Sequence, residues 1–302
     1  MIRVPQRVTV VEVGPRDGLQ NEAVTISTAD KVAFIDLLSD AGCPVVEVGA
    51  FVSPRWIPPM ADTAEVCAAI KKRPDTRYVA LVPNLAGLDR AHAAGITEVA
   101  VFAASSETFS LKNINKSIAE SLAVYTDVCQ RAGTLGIRVR AYLSTAFGCP
   151  FEGDVDPRRV AEVATALVAM GAFEVAVSDT IGIAHPGQVV DVVGCVSERV
   201  PLEKIALHFH DTRGTALANV LTALDLGIAT FDASAGGLGG CPYAPGATGN
   251  LAAEDLVYML DGLGVETGVN LGALLEASRF IESRIGHQLP SRYYRAASAR
   301  RT

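Results

Sequence analysis

"IALHFHDTRGTALANVLTALDLG", residues 205–227, contains one complete structural unit. Residues 205–211 form a short apolar run that ends in polar side chains, 212–214 are turn-like, and 215–226 place apolar residues at helical spacing before Gly227. A short apolar run bounded by turn residues reads as a buried strand, the helical period as an amphipathic helix, and the closing glycine as its left-handed cap. The unit is a strand followed by a helix, so the fold depends on how often it recurs.

It recurs along the whole chain. Strand-like runs lie at 7–13, 44–51, 77–83, 98–104, 138–145, 174–180, 205–211 and 229–235. Helical segments follow at 29–42, 61–72, 86–95, 118–136, 157–171, 186–200, 215–227 and 252–264, and Gly42, Gly95, Gly136, Gly171 and Gly227 are expected as left-handed caps. Strict alternation implies parallel strands with right-handed crossovers. Eight units predict a single closed (β/α)8 TIM barrel, a fold of about 250 residues, with a doubly wound open sheet as the alternative. No linker divides the chain. The expectation is one catalytic domain over 1–302, with the barrel at about 7–264 and a C-terminal helical extension at 265–302 that carries a ninth helix near 270–285.

Composition narrows the classes. Hydrophobic residues make up 49% and charged residues 20%, enough for a large core. A net charge of −7 argues against nucleic-acid binding, which needs clustered Lys and Arg. The only basic run, Arg295 to Arg301, reads as a frayed, solvated end. No apolar stretch approaches the roughly 18 residues of a membrane span, and the N-terminus enters a strand-like run without a cleavable signal pattern. A cytoplasmic protein without a membrane partner is expected. Six cysteines without CxxC pairs suggest reduced thiols.

Chemistry in such barrels sits at the C-terminal ends of the strands. Unusual polar residues gather there: Arg16 and Asp17 after strand one, Glu47 on strand two, Arg140 and Tyr142 on strand five, Ser178, Asp179 and Thr180 on strand six, and His208, His210 and Asp211 on strand seven. His208 and His210 are two apart on a strand and therefore face the same side. Two core histidines bonded to backbone carbonyls would have the same spacing. Position favours ligands, because Asp17 lies across the mouth and Asn250 can add an amide oxygen. Mixed N/O ligation without thiolate suits Mg²⁺ or Mn²⁺, with Co²⁺ as a further candidate.

Arg16 would act as a fixed positive charge, or else pair structurally with a nearby acid. Glu47 and Asp179 would orient, balance or act as base. Residues 236–249 read as a flexible surface loop by composition, yet Cys241 within it suggests a lid carrying a proton-exchanging thiol. Cys149 is a weaker candidate at the same rim.

"VEVGPRDGLQNE" (11–22), "FVSPRW" (51–56), "HFHDTRGTALAN" (208–219) and "GGLGGCPYAPGATGN" (236–250) resemble the hydroxymethylglutaryl-CoA lyase family, within the metal-dependent TIM-barrel lyases and Claisen-type synthases. The resemblance runs from about Val8 to about Leu275. It implies retro-Claisen cleavage of 3-hydroxy-3-methylglutaryl-CoA into acetyl-CoA and acetoacetate. By similarity, Asp17, His208, His210 and Asn250 bind a divalent cation, while Arg16 steadies the enolate and Cys241 sits on the catalytic loop. Glu47 and Asp179 support the site. His208 is the first candidate to take the hydroxyl proton, with Asp17 or a bound water as the alternative. Arg16, Asn113, Arg140, Tyr142 and Thr180 are the candidates to bind the acyl-CoA substrate, and a homodimer is expected for a soluble enzyme of this type.

Three alanines depart from the family pattern: Ala23, where many members have lysine, and Ala50 and Ala176, where serines are usual. Arg213 and Thr215 replace a usual tyrosine and glutamine. The missing hydroxyls of Ala50 and Ala176 predict a roomier acyl pocket and open a second expectation, citramalyl-CoA or a longer 3-alkyl-3-hydroxyglutaryl-CoA. A Claisen-type synthase usually carries a further C-terminal region, and only about 35 residues follow the eighth helix. A barrel that binds a metabolite without turnover would be expected to have lost a ligand or charge position, and none is missing. No Ser or Cys nucleophile has a recognisable base, which disfavours a hydrolase.

Overall fold

A computed structural model describes residues 3–240 and 249–299 of the chain. Eight parallel strands close in chain order: β1 (Thr9–Glu12), β2 (Val45–Ala50), β3 (Arg77–Leu81), β4 (Glu98–Ala104), β5 (Arg138–Ser144), β6 (Glu174–Asp179), β7 (Ile205–Phe209) and β8 (Thr230–Ala233). Closure runs through the β1–β8 ladder, Thr9 opposite Thr230 to Glu12 opposite Ala233. The open sheet is thereby excluded. Most strands stop short of their apolar runs because the chain leaves the ladder to form the rim. There His210 and Ser234 keep only isolated bridges, to Asn250 and Ala252.

The five capping glycines all have left-handed φ, from 68° at Gly136 to 117° at Gly171. The ninth helix spans Leu271–Ile285. Two further helices were not anticipated. Glu107–Ile114 is short, starts at a Ser106 cap and ends at left-handed Asn115. Its two turns are too brief to show a period.

Residues 295–299 of the expected frayed tail are instead helical, within Arg292–Ala299, and Arg300 and Arg301 lie outside the described residues. Asp255 explains the difference: its carboxylate accepts from the backbone N–H groups of Arg292 (3.1 Å) and Tyr293 (2.7 Å), the unpaired donors of a helix start. That cap comes from a distant part of the chain, so local sequence cannot reveal it. Among the described residues no helix is long and apolar enough to cross a membrane.

Phe34, Ile35, Leu38 and Leu88 fill the layer between barrel and helices, all fully buried. The barrel's axis is polar. Arg140, 1% exposed, donates through Nε to Glu174 (2.6 Å) and through Nη2 to Asp232 (2.6 Å). This corrects its expected place at the rim. Arg140 and Tyr142 share one face of β5, but Tyr142 is two residues, about 6–7 Å, nearer the mouth. Arg140 does not line the cavity described below, whereas Tyr142 does.

Arg140→Met should remove the shared cation and leave two buried carboxylates facing each other. The expected loss is about 3–5 kcal/mol of unfolding free energy. Urea denaturation with an unchanged m-value would measure it, and an unchanged midpoint would contradict this role.

Candidate active site

Immediately after β1 the chain makes a π-helical turn, Gly14–Gly18, which brings Arg16 and Asp17 over the barrel mouth. Single π turns of this kind gather at functional sites. Arg16 is 6% exposed, and its Nε donates to Glu47 Oε2 and its Nη1 to Asp17 Oδ1, both at 2.6 Å. Its guanidinium also lies over the Tyr142 ring, 5.3 Å from the centroid. The guanidinium is therefore held on several sides before any substrate arrives. Burial works against its charge, but Glu47 and Asp17 raise its pKa further above the ordinary arginine value.

Asp17, His208 and His210 converge, each offering a ligand atom within 4.8 Å of the others. Pleating puts both histidines on the inner face, as their spacing predicted. Asn250 joins them by donating Nδ2 to Asp17 Oδ2 at 2.9 Å and to Leu238 O at 2.9 Å. Burial opposes the charge on Asp17, yet Arg16 and the two imidazoles hold its carboxyl well below the usual range. Burial pushes His210 down to about 4, with His208 adding to the effect, so its lone pair is free at neutral pH. Burial would also lower His208, but the hydrogen bond to Asp232 outweighs it and carries the pKa up.

Asp232 went unremarked in the sequence. Its Oδ2 lies 3.1 Å from His208 Nδ1, which leaves Nε2 as the free ring nitrogen. Register makes the pair, since His208 and Asp232 are directly opposite on β7 and β8. An acid in the middle of a barrel strand was the available signal. Its partner was not, because pairing register is set by the closed sheet.

A divalent cation fits these residues. His210 Nδ1 and Asn250 Oδ1 are buried and have no hydrogen-bond partner among the described residues. Buried lone pairs left unmatched beside a carboxylate are what a cation uses, and one carboxylate, two imidazoles and one amide oxygen suit Mg²⁺, Mn²⁺ or Co²⁺.

The cluster opens into a cavity of about 640 Å³ lined by Arg16, Asp17, Tyr142, Thr180, His208 and His210 at one end and by Asn113 and Lys116 on its outer wall. Asn113 comes from the unanticipated helix. Glu47 and Asp179 do not line it. Glu47 sits behind Arg16, and Asp179 accepts from the backbone of Ile183 and Ala184 at 3.0 Å each. Burial raises Asp179 to about 6 despite those bonds. Cys149 faces the Ser106 hydroxyl at 3.0 Å, away from the cavity. Cys241 lies outside the described residues. Ala50 and Ala176 are buried and Ala23 is exposed, and none of the three lines the cavity. The roomier pocket expected from Ala50 and Ala176 therefore does not arise from them.

A (β/α)8 barrel with an acid-imidazole cluster and a fixed guanidinium at its C-terminal mouth defines an enzyme of the TIM-barrel class. The chain matches the HMGL-like family over residues 7–281. It is 52% identical over 292 residues to the mitochondrial hydroxymethylglutaryl-CoA lyase of Bos taurus, an alignment covering 97% of this chain and 90% of the relative. It is 51% identical over 299 residues to the 3-hydroxy-3-isohexenylglutaryl-CoA/hydroxy-methylglutaryl-CoA lyase of Pseudomonas aeruginosa, covering 99% and 100%. A solved HMG-CoA lyase from Acenitobacter baumannii, in complex with coenzyme A and 3-methylmalate, superposes with a TM-score of 0.92 at 40% identity, covering 96% of this chain and 95% of that one. The chain belongs to the hydroxymethylglutaryl-CoA lyase family, a family of carbon-carbon lyases.

Asp232→Asn should weaken Mn²⁺ binding by about 10–100-fold, because the partner that orients a ligating histidine tunes the site. Isothermal titration of the metal-free protein reads this directly. Wild-type affinity in the variant would mean that Asp232 serves Arg140 alone.

Proposed function

We propose that the protein cleaves 3-hydroxy-3-methylglutaryl-CoA to acetyl-CoA and acetoacetate by retro-Claisen chemistry. The observation that carries this is the convergence of Asp17, His208 and His210 within 4.8 Å beside the fixed guanidinium of Arg16. In this reading Asp17, His208, His210 and Asn250 hold Mg²⁺ or Mn²⁺, which supplies Lewis-acid charge and a docking point for substrate oxygens.

The chain's own groups then divide the work. The tertiary hydroxyl gives up its proton, the C2–C3 bond breaks, C3 becomes the ketone of acetoacetate, and the electron pair moves into the thioester as the enolate of acetyl-CoA. The Asp232 carboxylate fixes the His208 ring through Nδ1 and leaves Nε2 for the cation, so the hydroxyl proton passes to Asp17 or to a water. Arg16, kept charged by Glu47 and Asp17, stabilises the enolate oxygen. Cys241 returns a proton to the enolate carbon. Tyr142, Thr180 and Asn113 bind the acyl-CoA within the cavity, a partner supported by the coenzyme A complex of the Acenitobacter baumannii relative. The five described cysteines are free thiols, which supports a reducing, cytoplasmic setting.

One observation favours a second substrate of the same chemistry. Away from the cluster, Leu81, Phe102, Phe109, Val124 and Tyr125 form an apolar stretch of the cavity wall, and this supports a longer 3-alkyl-3-hydroxyglutaryl-CoA as an additional substrate.

Incubation with Mg²⁺ and the methyl substrate should yield acetyl-CoA by mass spectrometry, chelation should abolish it, and added Mn²⁺ should restore it. Failure to cleave with metal bound would refute the reading. Cys241→Ser should lower kcat by about 10²–10⁴-fold, as expected for loss of an acid-base group, while Mn²⁺ affinity stays near wild type. Unchanged turnover would remove the cysteine from the mechanism.

A further inference from the structure

Behind the mouth, outside the cavity, lies an acid that the mechanism does not use. Glu12, the last residue of β1, is fully buried. Its Oε1 accepts two backbone N–H groups, from Gly14 at 2.8 Å and from Ala235 at 2.9 Å. Gly14 opens the turn that carries Arg16 and Asp17. Ala235 opens the segment that continues to Leu238 and Gly239, whose carbonyls accept from Asn250 Nδ2 (2.9 Å) and Asn250 N (3.1 Å). One oxygen atom thus joins the two stretches of chain that place a carboxylate and an amide in the cluster.

The packing around this joint is tight. A Cβ on Gly14 would come within 2.6 Å of Glu12 Oε1, and one on Gly18 within 2.9 Å of the Leu238 side chain. The adjoining N–H, that of Gly236, is held by both oxygens of Glu254 at 3.0 and 2.9 Å. Glu12 Oε2, by contrast, has no partner among the described residues and is buried. The work of the side chain is therefore concentrated in one acceptor atom with two donors, a geometry that an amide oxygen in the same place can reproduce.

We propose that Glu12 is a positioning residue whose Oε1 docks the Arg16–Asp17 turn against the segment that seats Asn250 and so sets the spacing of the cation-binding groups. It touches neither substrate nor cation. Burial raises its carboxyl to about 8, consistent with an acceptor that does not depend on charge. The proposal rests on the divalent-metal reading above.

Three variants test it: Glu12→Gln, Glu12→Ala and Gly14→Ala. Mn²⁺ affinity of the metal-free protein is measured by titration calorimetry, folding by thermal circular dichroism, and kcat and KM with the methyl substrate. Glu12→Ala should lose about 10–100-fold in Mn²⁺ affinity. Its kcat should fall while KM stays within about 3-fold, because the cavity wall is untouched. Glu12→Gln should restore both. Gly14→Ala, which displaces Oε1 without removing it, should weaken Mn²⁺ binding in the same direction, and it decides the matter if Glu12→Ala does not fold. Wild-type Mn²⁺ affinity in a folded Glu12→Ala or Gly14→Ala protein would overturn the proposal, as would a Gln variant as impaired as Ala. A wild-type protein that binds no divalent cation would instead overturn the metal reading itself.

Discussion

The ladder between β1 and β8 is the constraint on which the site depends. Asp17 follows β1, while Asn250 arrives on the segment that leaves β8, and the hydrogen bond between them spans 233 residues of chain. Neither group has a local reason to meet the other. Closing the sheet brings the two strand ends together, and β7, the neighbour of β8, adds His208 and His210. A parallel barrel presents all its strand ends on one rim, so side chains from distant sequence positions converge without long loops.

Convergence creates an electrostatic problem, because charged groups deep in a barrel lose their hydration. The chain answers it by alternating sign along the axis. Glu174, Arg140 and Asp232 are linked by direct bonds, and Asp232 continues to His208. Above them Glu47, Arg16 and Asp17 repeat the pattern. Each acid or base is held by an opposite partner, which accounts for the low carboxyl pKa of Asp17 and the raised imidazole pKa of His208 against the pull of burial. At His210 burial and the neighbouring His208 outweigh the pull of Asp17, and the ring stays neutral. Three residues placed at the rim by sequence, Arg140, Glu47 and Asp179, thus work from beneath or beside the cavity. Tyr142, Thr180 and Asn113 form its wall.

Much of this was legible in the chain. Eight repeats of a strand-helix period fix the architecture because hydrophobic spacing must match the surface each element buries. Capping glycines mark helix ends because left-handed backbone favours a residue without a Cβ. The HFH spacing placed two imidazoles on one face for the same geometric reason. Resemblance to a known family implied the ligand set, although the family-based expectation of a pocket enlarged at Ala50 and Ala176 did not survive, since neither residue lines the cavity.

What the sequence could not specify was pairing across distance. Asp232 opposite His208, Asp255 capping the helix at Arg292, and Glu12 bonded to Ala235 all depend on which backbone lies beside which. Local periodicity determines which elements form and which of their faces are buried, because those are properties of a few consecutive residues. Register and closure are decided by the whole sheet at once, so the depth of each polar side chain and the partner that sets its charge emerge only in the folded barrel.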